Sequence, residues 1–211
     1  MLTDGSCSGA DSRTGQTRQF NIRRFTRFSW CLLLVMLIGG PSIHAAQRHQ
    51  KPQPVLKPDD LAQRIHVLIN SERSRHGLKP LAWDNQLARV AGMHSRDMSR
   101  RKYLGHDSPE GNTFSDRYRQ AGYACDIRVG MQIYAGAENI ALARLYNSET
   151  TINSVTTFDW NSPAQLAHRT VDGWMNSRGH RENILTPHWR QEGIGIEIGP
   201  GNAVYITQNF C

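Results

Sequence analysis

Apolar residues recur at helical spacing just after Asp60, and they predict the first helix of the chain. Four of them are Leu61, Ile65, Leu68 and Ile69. Steps of three or four residues put side chains on one face of a helix. We expect this helix over about 60–76, with Asp59 or Asp60 as its cap and Gly77, in a left-handed conformation, at its end.

A second apolar stripe predicts a helix over about 85–101, with Asp84 as its cap. The stripe consists of Leu87, Val90, Ala91, His94 and Met98. His94 therefore points into the core and away from solvent. From 102 to 136 the chain is rich in Gly, Asp and Ser, and we expect a loop there with a short helix at 112–121.

The second half of the chain predicts one well-marked helix and two strands. Ser162 as cap, Pro163 at the first helical position and Gln165 in a capping box begin a helix that should end near 177. Its inner face consists of Leu166, Ala167, Val171 and Trp174. The final segments GIGIEIG and VYITQNF predict two strands around a tight turn, with alternating isoleucines on one face.

Two other segments have weaker patterns. We interpret GAENIA at 136–141 as a turn into a short helix. The polar stretch at 144–161 is expected to be a variable surface loop. Helices followed by strands, in a chain of this length, indicate a single α+β domain.

The N-terminal segment is organised like an export signal. Residues 18–29 contain four arginines and no acidic residue, and nine apolar residues follow at 30–38. This run is shorter than the roughly 20 residues of a membrane span, but it suits a signal peptide with cleavage after Ala45 or Ala46. The expected organisation is a signal peptide at 1–46, a linker at 47–58 and a domain at 59–211. An uncleaved N-terminal anchor is the alternative.

The net charge and the cysteine content limit the compartments and the binding partners that can be expected for this protein. Loss of five arginines and two aspartates with residues 1–45 lowers the formal charge from +7 to +4. No block of like charges remains, so nucleic acid is not an expected partner. Cys125 and Cys211 stay in the exported chain and most simply form one disulfide, with two free thiols as the alternative. We expect a secreted, periplasmic or extracellular monomer without a membrane span.

A dispersed set of polar residues could carry chemistry: His94, His106, Glu138 and His180. The chain has no HExxH, no GxSxG and no phosphate-binding glycine loop. Two imidazoles beside a carboxylate form a ligand set that zinc accepts, with a fourth position for water. Each residue also has a structural interpretation. His94 could be a hydrogen-bonded core histidine, Glu138 the acid of a helix's first turn, and His180 a chain-reversal residue after a left-handed Gly179.

From about residue 60 onward, the chain resembles the CAP superfamily of cysteine-rich secretory proteins, antigen 5 and pathogenesis-related proteins, in its bacterial exported form. The matching segments are INSERSRHGLKPLAWDNQLARVAGMHSRDM at 69–98, GHDSPEG at 105–111, GAENIA at 136–141, WMNSRGHRENIL at 174–185, and the two C-terminal strand segments. The resemblance implies an α-β-α sandwich, in which a small antiparallel sheet of about three strands lies between layers of helices.

The resemblance also implies a cleft with two histidines and two acids that can bind a divalent cation such as zinc. By motif, His94, Glu138 and His180 match three of these four positions. Ser177 occupies the position of the second acid in larger eukaryotic members. Since a serine hydroxyl is a poor zinc ligand, this departure predicts a weaker metal site or none. His106 is a further candidate for ligand contact.

Three functions remain open at this point. The first is an exported binding module whose cleft holds a small molecule, a lipid or a cell-envelope fragment, with or without a divalent cation. The second is a metal-assisted hydrolase with Glu138 as general base. In the third, the polar cluster is purely structural and function lies on the surface loops. The resemblance implies no general enzymatic activity, so the binding module is favoured.

Overall fold

The computed structural model describes residues 52–211. The expected signal peptide, its cleavage site and residues 47–51 of the expected linker lie outside the described residues. The helices are α1 (Pro58–Arg75), α2 (Asn85–Arg101), α3 (Phe114–Gln120), α4 (Pro163–Asn176) and α5 (Arg178–Leu185). The strands are β1 (Ala82–Trp83), β2 (Ile127–Val129), β3 (Gln132–Tyr134), β4 (Ala137–Arg144), β5 (Tyr146–Ile152), β6 (Val155–Trp160), β7 (Gln191–Ile198) and β8 (Ala203–Phe210). In this part of the chain, no helix combines the length and the apolar character that a membrane crossing requires.

The central sheet has the strand order β1-β7-β8-β4. The pairs β7–β8 and β4–β8 are antiparallel over almost their whole length. The two-residue strand β1 adds a short parallel pair to β7 at the edge. Helix α2 packs on β7 and β8, while α1 packs on both β7 and α4. The expected α-β-α sandwich is thus confirmed, with one short parallel strand added to the three antiparallel ones.

The alternation of Gly and Ile in β7 explains how helices cover both faces of the sheet. Ile194 and Ile196 join the core cluster formed with α1 and α4. The glycines face α2, and a Cβ atom on Gly195 would lie 1.9 Å from the backbone nitrogen of Gly92. The backbone of α2 therefore rests directly on the backbone of β7, which holds α2 in a fixed position over the sheet.

The predicted helices agree closely with the observed ones. Helix α2 spans the predicted residues, and the Asp84 carboxylate accepts hydrogen bonds from two backbone N–H groups of its first turn. Helix α4 has the predicted capping box at Ser162 and the predicted buried face. The prediction that Asp59 or Asp60 caps helix α1 is wrong: the helix begins at Pro58 with Lys57 as its N-cap, and both aspartates lie in its first turn. Gly77 has the expected left-handed conformation, with a φ of 70°.

Two predictions for the middle of the chain are wrong. GAENIA begins strand β4 and forms no helix, because residues 137–144 pair along their full length with β8. The expected surface loop at 144–161 contains a β-hairpin, β5–β6. Its turn is made by Asn153 and Ser154, both with positive φ, as two-residue hairpin turns require.

The predicted disulfide between Cys125 and Cys211 is present, with a Cα–Cα distance of 5.6 Å. It joins the end of the chain, next to β8, to the loop that follows α3. Both cysteines pack with Leu87, Val90 and Tyr118 in a small core cluster. The bridge thus fastens the loop carrying α3 to the sheet.

Candidate functional site

Glu138 is the centre of a buried polar cluster. It is the second residue of β4, and its side chain is only 1% exposed. An isolated carboxylate in such a position would be very unfavourable, because burial removes its hydration. The fold must therefore supply hydrogen-bond donors and positive charge around it.

Arg117 supplies the closest charge. Its Nη2 atom donates to the Glu138 Oε2 atom at 2.6 Å. The same guanidinium donates to the carbonyl oxygens of His106 and Asn112, both at 2.9 Å. Arg117 lies in α3, which begins with a capping box at Thr113. A short, well-capped helix thus holds the guanidinium against the sheet.

His106 contacts the second oxygen of the same carboxylate. Its Nδ1 atom lies 3.0 Å from Glu138 Oε1, so this nitrogen carries a proton and donates it to the carboxylate. The hydrogen bond to Glu138 raises the pKa of His106 above its ordinary value. The ring is half exposed, at 49% for the side chain. The opposite edge of the ring therefore remains accessible from solvent.

His94 lies behind this group, in the core, as its helical stripe predicted. It is 1% exposed, and its Nε2 atom donates to the Gly105 carbonyl oxygen at 2.9 Å. Glu138 Oε1 is 3.9 Å away from the same nitrogen. Burial lowers the pKa of His94, partly offset by Glu138. This is the geometry of a neutral core histidine that holds the 105–112 loop in place.

His180 lies in the first turn of α5. The expected left-handed turn at Gly179 is wrong, because Gly179 is an ordinary helical residue of α5 and Ser177 alone separates α4 from α5. The backbone carbonyl of His180 accepts a hydrogen bond from the Asn139 side chain, which fixes α5 to β4. No hydrogen bond links the His180 ring to another side chain within the described range 52–211.

The rings of His106 and His180 are neighbours, with centroids 6.4 Å apart. Burial, and the nearby His106, lower the pKa of His180. The two shifts run in opposite directions, so His106 keeps its proton to a higher pH than His180 does. Of the predicted site residues, the structure brings Glu138, His106 and His180 to one place. His94 supports them from the core.

A groove of about 560 Å³ runs between β4 and α4 and includes His180. Its apolar wall contains Ala141, Ala143, Leu166 and Trp174, and Arg144 and Arg169 also line it. Ser177 and His180 lie at the end of the groove near the last turn of α4. Trp174 is held by a hydrogen bond from its indole N–H to the Ile140 carbonyl oxygen at 3.0 Å. The predicted candidates Ser177 and His180 thus border an apolar channel.

The cluster does not fit a divalent cation in this arrangement. Both Glu138 oxygens accept hydrogen bonds, one from Arg117 and one from His106. The Nε2 lone pair of His94 is unavailable because that nitrogen donates to a backbone carbonyl. Among residues 52–211, no group of three or more His, Cys, Asp or Glu side chains is placed to hold a metal ion.

Two residues that contribute to the site, Arg117 and Asn183, were not identified from the sequence. Arg117 lies in a short helix with a second arginine, Arg119, and no spacing rule pairs either one with Glu138. Asn183 donates to the Glu138 carbonyl oxygen and to the Asn139 side chain. A buried carboxylate in the middle of the fold implies a nearby cation, but only the tertiary structure identifies which one.

Comparison with known proteins points to one family. The model of the cysteine-rich secretory protein family (CAP) matches residues 67–210. The chain is 32% identical over 148 residues to the uncharacterized membrane protein YlbC of Bacillus subtilis, a match that covers 70% of this chain and 33% of that protein. It is 30% identical over 138 residues to the uncharacterized protein YkwD of the same bacterium, over 65% of this chain and 43% of that protein.

A solved structure supports the same relationship. It is an extracellular protein containing an SCP domain from Bacillus anthracis, with a TM-score of 0.52 and 31% identity, over 74% of this chain and 44% of that chain. The match thus covers less than half the length of each of these three relatives.

Proposed function

Because the chain belongs to the cysteine-rich secretory protein (CAP) family, we propose that it is an exported binding module whose ligand lies in the groove beside His180. Export is supported by the signal-like N-terminal segment and by the extracellular relative from Bacillus anthracis. The disulfide is also typical of a compartment outside the cytosol.

The observation that carries this proposal is the combination of an apolar groove with a free imidazole at its end. The groove is lined by residues of β4 and α4, among them Ala141 and Ala143, which pack on the same side of the sheet as Trp174. Its volume of about 560 Å³ falls within the range of small-molecule sites. The ring of His180 can donate or accept a hydrogen bond at the groove end.

These features favour an amphipathic ligand of modest size. Its apolar portion would pack along Ala141, Ala143 and Trp174, and its polar group would contact His180, whose ring neighbours the half-exposed ring of His106. A lipid or an acylated cell-envelope fragment has this chemistry. Neither nucleic acid nor a divalent cation is part of the proposal.

Catalysis by Glu138 has less support. A general base needs a free oxygen within reach of the proton that it removes. Both oxygens of Glu138 are occupied, and the side chain is 1% exposed. We therefore assign Glu138 a supporting role, in which it positions the His106 ring beside that of His180.

The test is a titration of the full chain with a dansyl-labelled fatty acid, followed by energy transfer from tryptophan to dansyl. Trp174 in the groove wall is a natural donor. We expect saturable binding that weakens at least tenfold in Ala143→Asp, because Ala143 lies on the face of β4 that packs toward α4 and the substitution places a charge in the groove. The matched control is Ile152→Asp, at an exposed apolar position of the hairpin β5–β6 outside the groove.

Equal weakening in both variants would indicate a nonspecific apolar effect and would refute the assignment of the groove. Absence of saturable binding in the unaltered chain would refute an acyl ligand. In that case a structural role for the polar cluster, with function on the surface loops, would account better for the site.

A further inference from the structure

We propose that Arg117 is the resident cation of the polar cluster and that it excludes divalent metal ions from Glu138. The resemblance to CAP proteins implies a metal at a site of this kind, yet the side chains here are arranged around a guanidinium. The inference concerns the cluster and not the groove, so it does not depend on the identity of the ligand.

The contacts of Arg117 are those of a built site. Its Nη2 atom donates to Glu138 and to the His106 carbonyl oxygen, and its Nη1 atom donates to the Asn112 carbonyl oxygen. The side chain is 11% exposed. By contrast, Arg119 lies two residues later in the same helix, is 75% exposed, and pairs with Asp116 of the same helix. The difference shows that the fold encloses one arginine of α3 and leaves the other at the surface.

The same contacts also occupy the carboxylate oxygens that a metal ion would need as ligands. Glu138 Oε2 is held by Arg117 and Oε1 by His106. A cation such as Zn²⁺ would have to break at least one of these hydrogen bonds. It would also lie beside the positive guanidinium, where like charges in a poorly hydrated site repel strongly.

Removal of the guanidinium should open the site. Without Arg117, one oxygen of Glu138 loses its partner, and the cluster retains a buried negative charge with two histidines, His106 and His180, nearby. A carboxylate and two imidazoles are ligands that zinc accepts. The residues for a zinc site are thus present, and Arg117 prevents their use.

The experiment is a calorimetric titration of the full chain with zinc chloride, in the unaltered protein, in Arg117→Met and in Arg119→Met. Methionine keeps much of the length of arginine without its charge. We expect no zinc binding in the unaltered chain or in Arg119→Met. Arg117→Met should bind zinc with an affinity at least tenfold above the detection limit of the titration, and this binding should disappear in Arg117→Met/His106→Ala.

Circular dichroism covers the case in which Arg117→Met does not fold without metal. Added zinc should then restore the helical signal, because the metal takes the position of the guanidinium. Two results would overturn the proposal. One is zinc binding by the unaltered chain that is lost in His106→Ala. The other is a folded Arg117→Met without gain in zinc affinity, or an unfolded one that zinc does not refold.

Discussion

Replacement of Glu138 by glutamine would leave Arg117 buried with its charge unpaired. The two side chains are 1% and 11% exposed and meet at 2.6 Å. Breaking a buried pair of this kind by removing one partner costs about 3–5 kcal/mol. Because glutamine preserves the side-chain volume and one acceptor oxygen, we expect Glu138→Gln to lower the free energy of unfolding by about 3 kcal/mol, the lower end of this range. A similar loss is expected for Arg117→Met, which leaves the carboxylate without its closest cation.

The two losses of unfolding free energy should not add, because each single substitution leaves the partner's charge buried and unpaired. The double variant removes both charges together, and its cost should therefore be about 3 kcal/mol, not about 6. This corresponds to a coupling of about 3 kcal/mol between Glu138 and Arg117. Urea unfolding of the four proteins, followed by tryptophan fluorescence, gives the double-mutant cycle directly.

A second cycle at Asp60 and Arg64 is the matched control. These residues form an ion pair at 3.0 Å within α1, with both side chains 48% exposed. Exposed pairs at this spacing couple by only about 0.3–0.5 kcal/mol. If the Glu138 and Arg117 losses were additive to within about 0.5 kcal/mol, the interpretation of this cluster as one charge-balanced unit would be refuted.

Three further predictions concern the packing of α2 on β7, the disulfide and the imidazole of His106. Gly195→Ala should lower the free energy of unfolding by about 1–3 kcal/mol or more, because its Cβ would lie 1.9 Å from a backbone nitrogen of α2. Gly173→Ala, in a helix with open space around it, should instead raise that free energy by about 0.5–1 kcal/mol. Thermal unfolding that ranks the two variants otherwise would contradict the packing described. Replacement of both Cys125 and Cys211 by serine should cost about 4–5 kcal/mol for a bridge between residues 86 apart; a loss below about 1 kcal/mol in urea would argue against its structural role. Because the pKa of His106 is raised in the folded protein, its charged form stabilises the fold at pH values below the unfolded-state pKa of about 6.5. This contribution is lost as the pH rises through the raised pKa of the folded state. An NMR titration midpoint for His106 under about 6.5 would contradict the hydrogen bond to the carboxylate.

The elements that the sequence predicted well are those with strong local signals. Helix α4 has both a capping box and a continuous apolar face, so its limits follow from side chains within a few residues. Strand β4 lacks such a signal, because residues 137–140 are all buried and the alternation that marks a half-buried strand is absent. The hairpin β5–β6 was missed because its threonines are polar, although β-branched residues favour strands.

The site was predictable in its residue types but not in its contacts. Glu138, His106 and His180 were identified from the sequence, and the fold brings all three together. Their distances from Arg117 depend on how α3 packs against β4, and no local pattern encodes that packing. His94 was correctly predicted to face the core, and its backbone hydrogen bond explains why it supports the site from behind.

The most direct test of the account is an NMR titration of the isotope-labelled full chain with a dansyl-labelled fatty acid, observed through backbone amides, the Trp174 indole N–H and the His180 ring. If the groove between β4 and α4 is the binding site, the largest shift changes should fall on Ala141, Ala143, Trp174 and His180. The amides of the hairpin β5–β6 beyond the groove should change little. Saturable changes confined to another surface, with the Trp174 indole unaffected, would contradict the central claim.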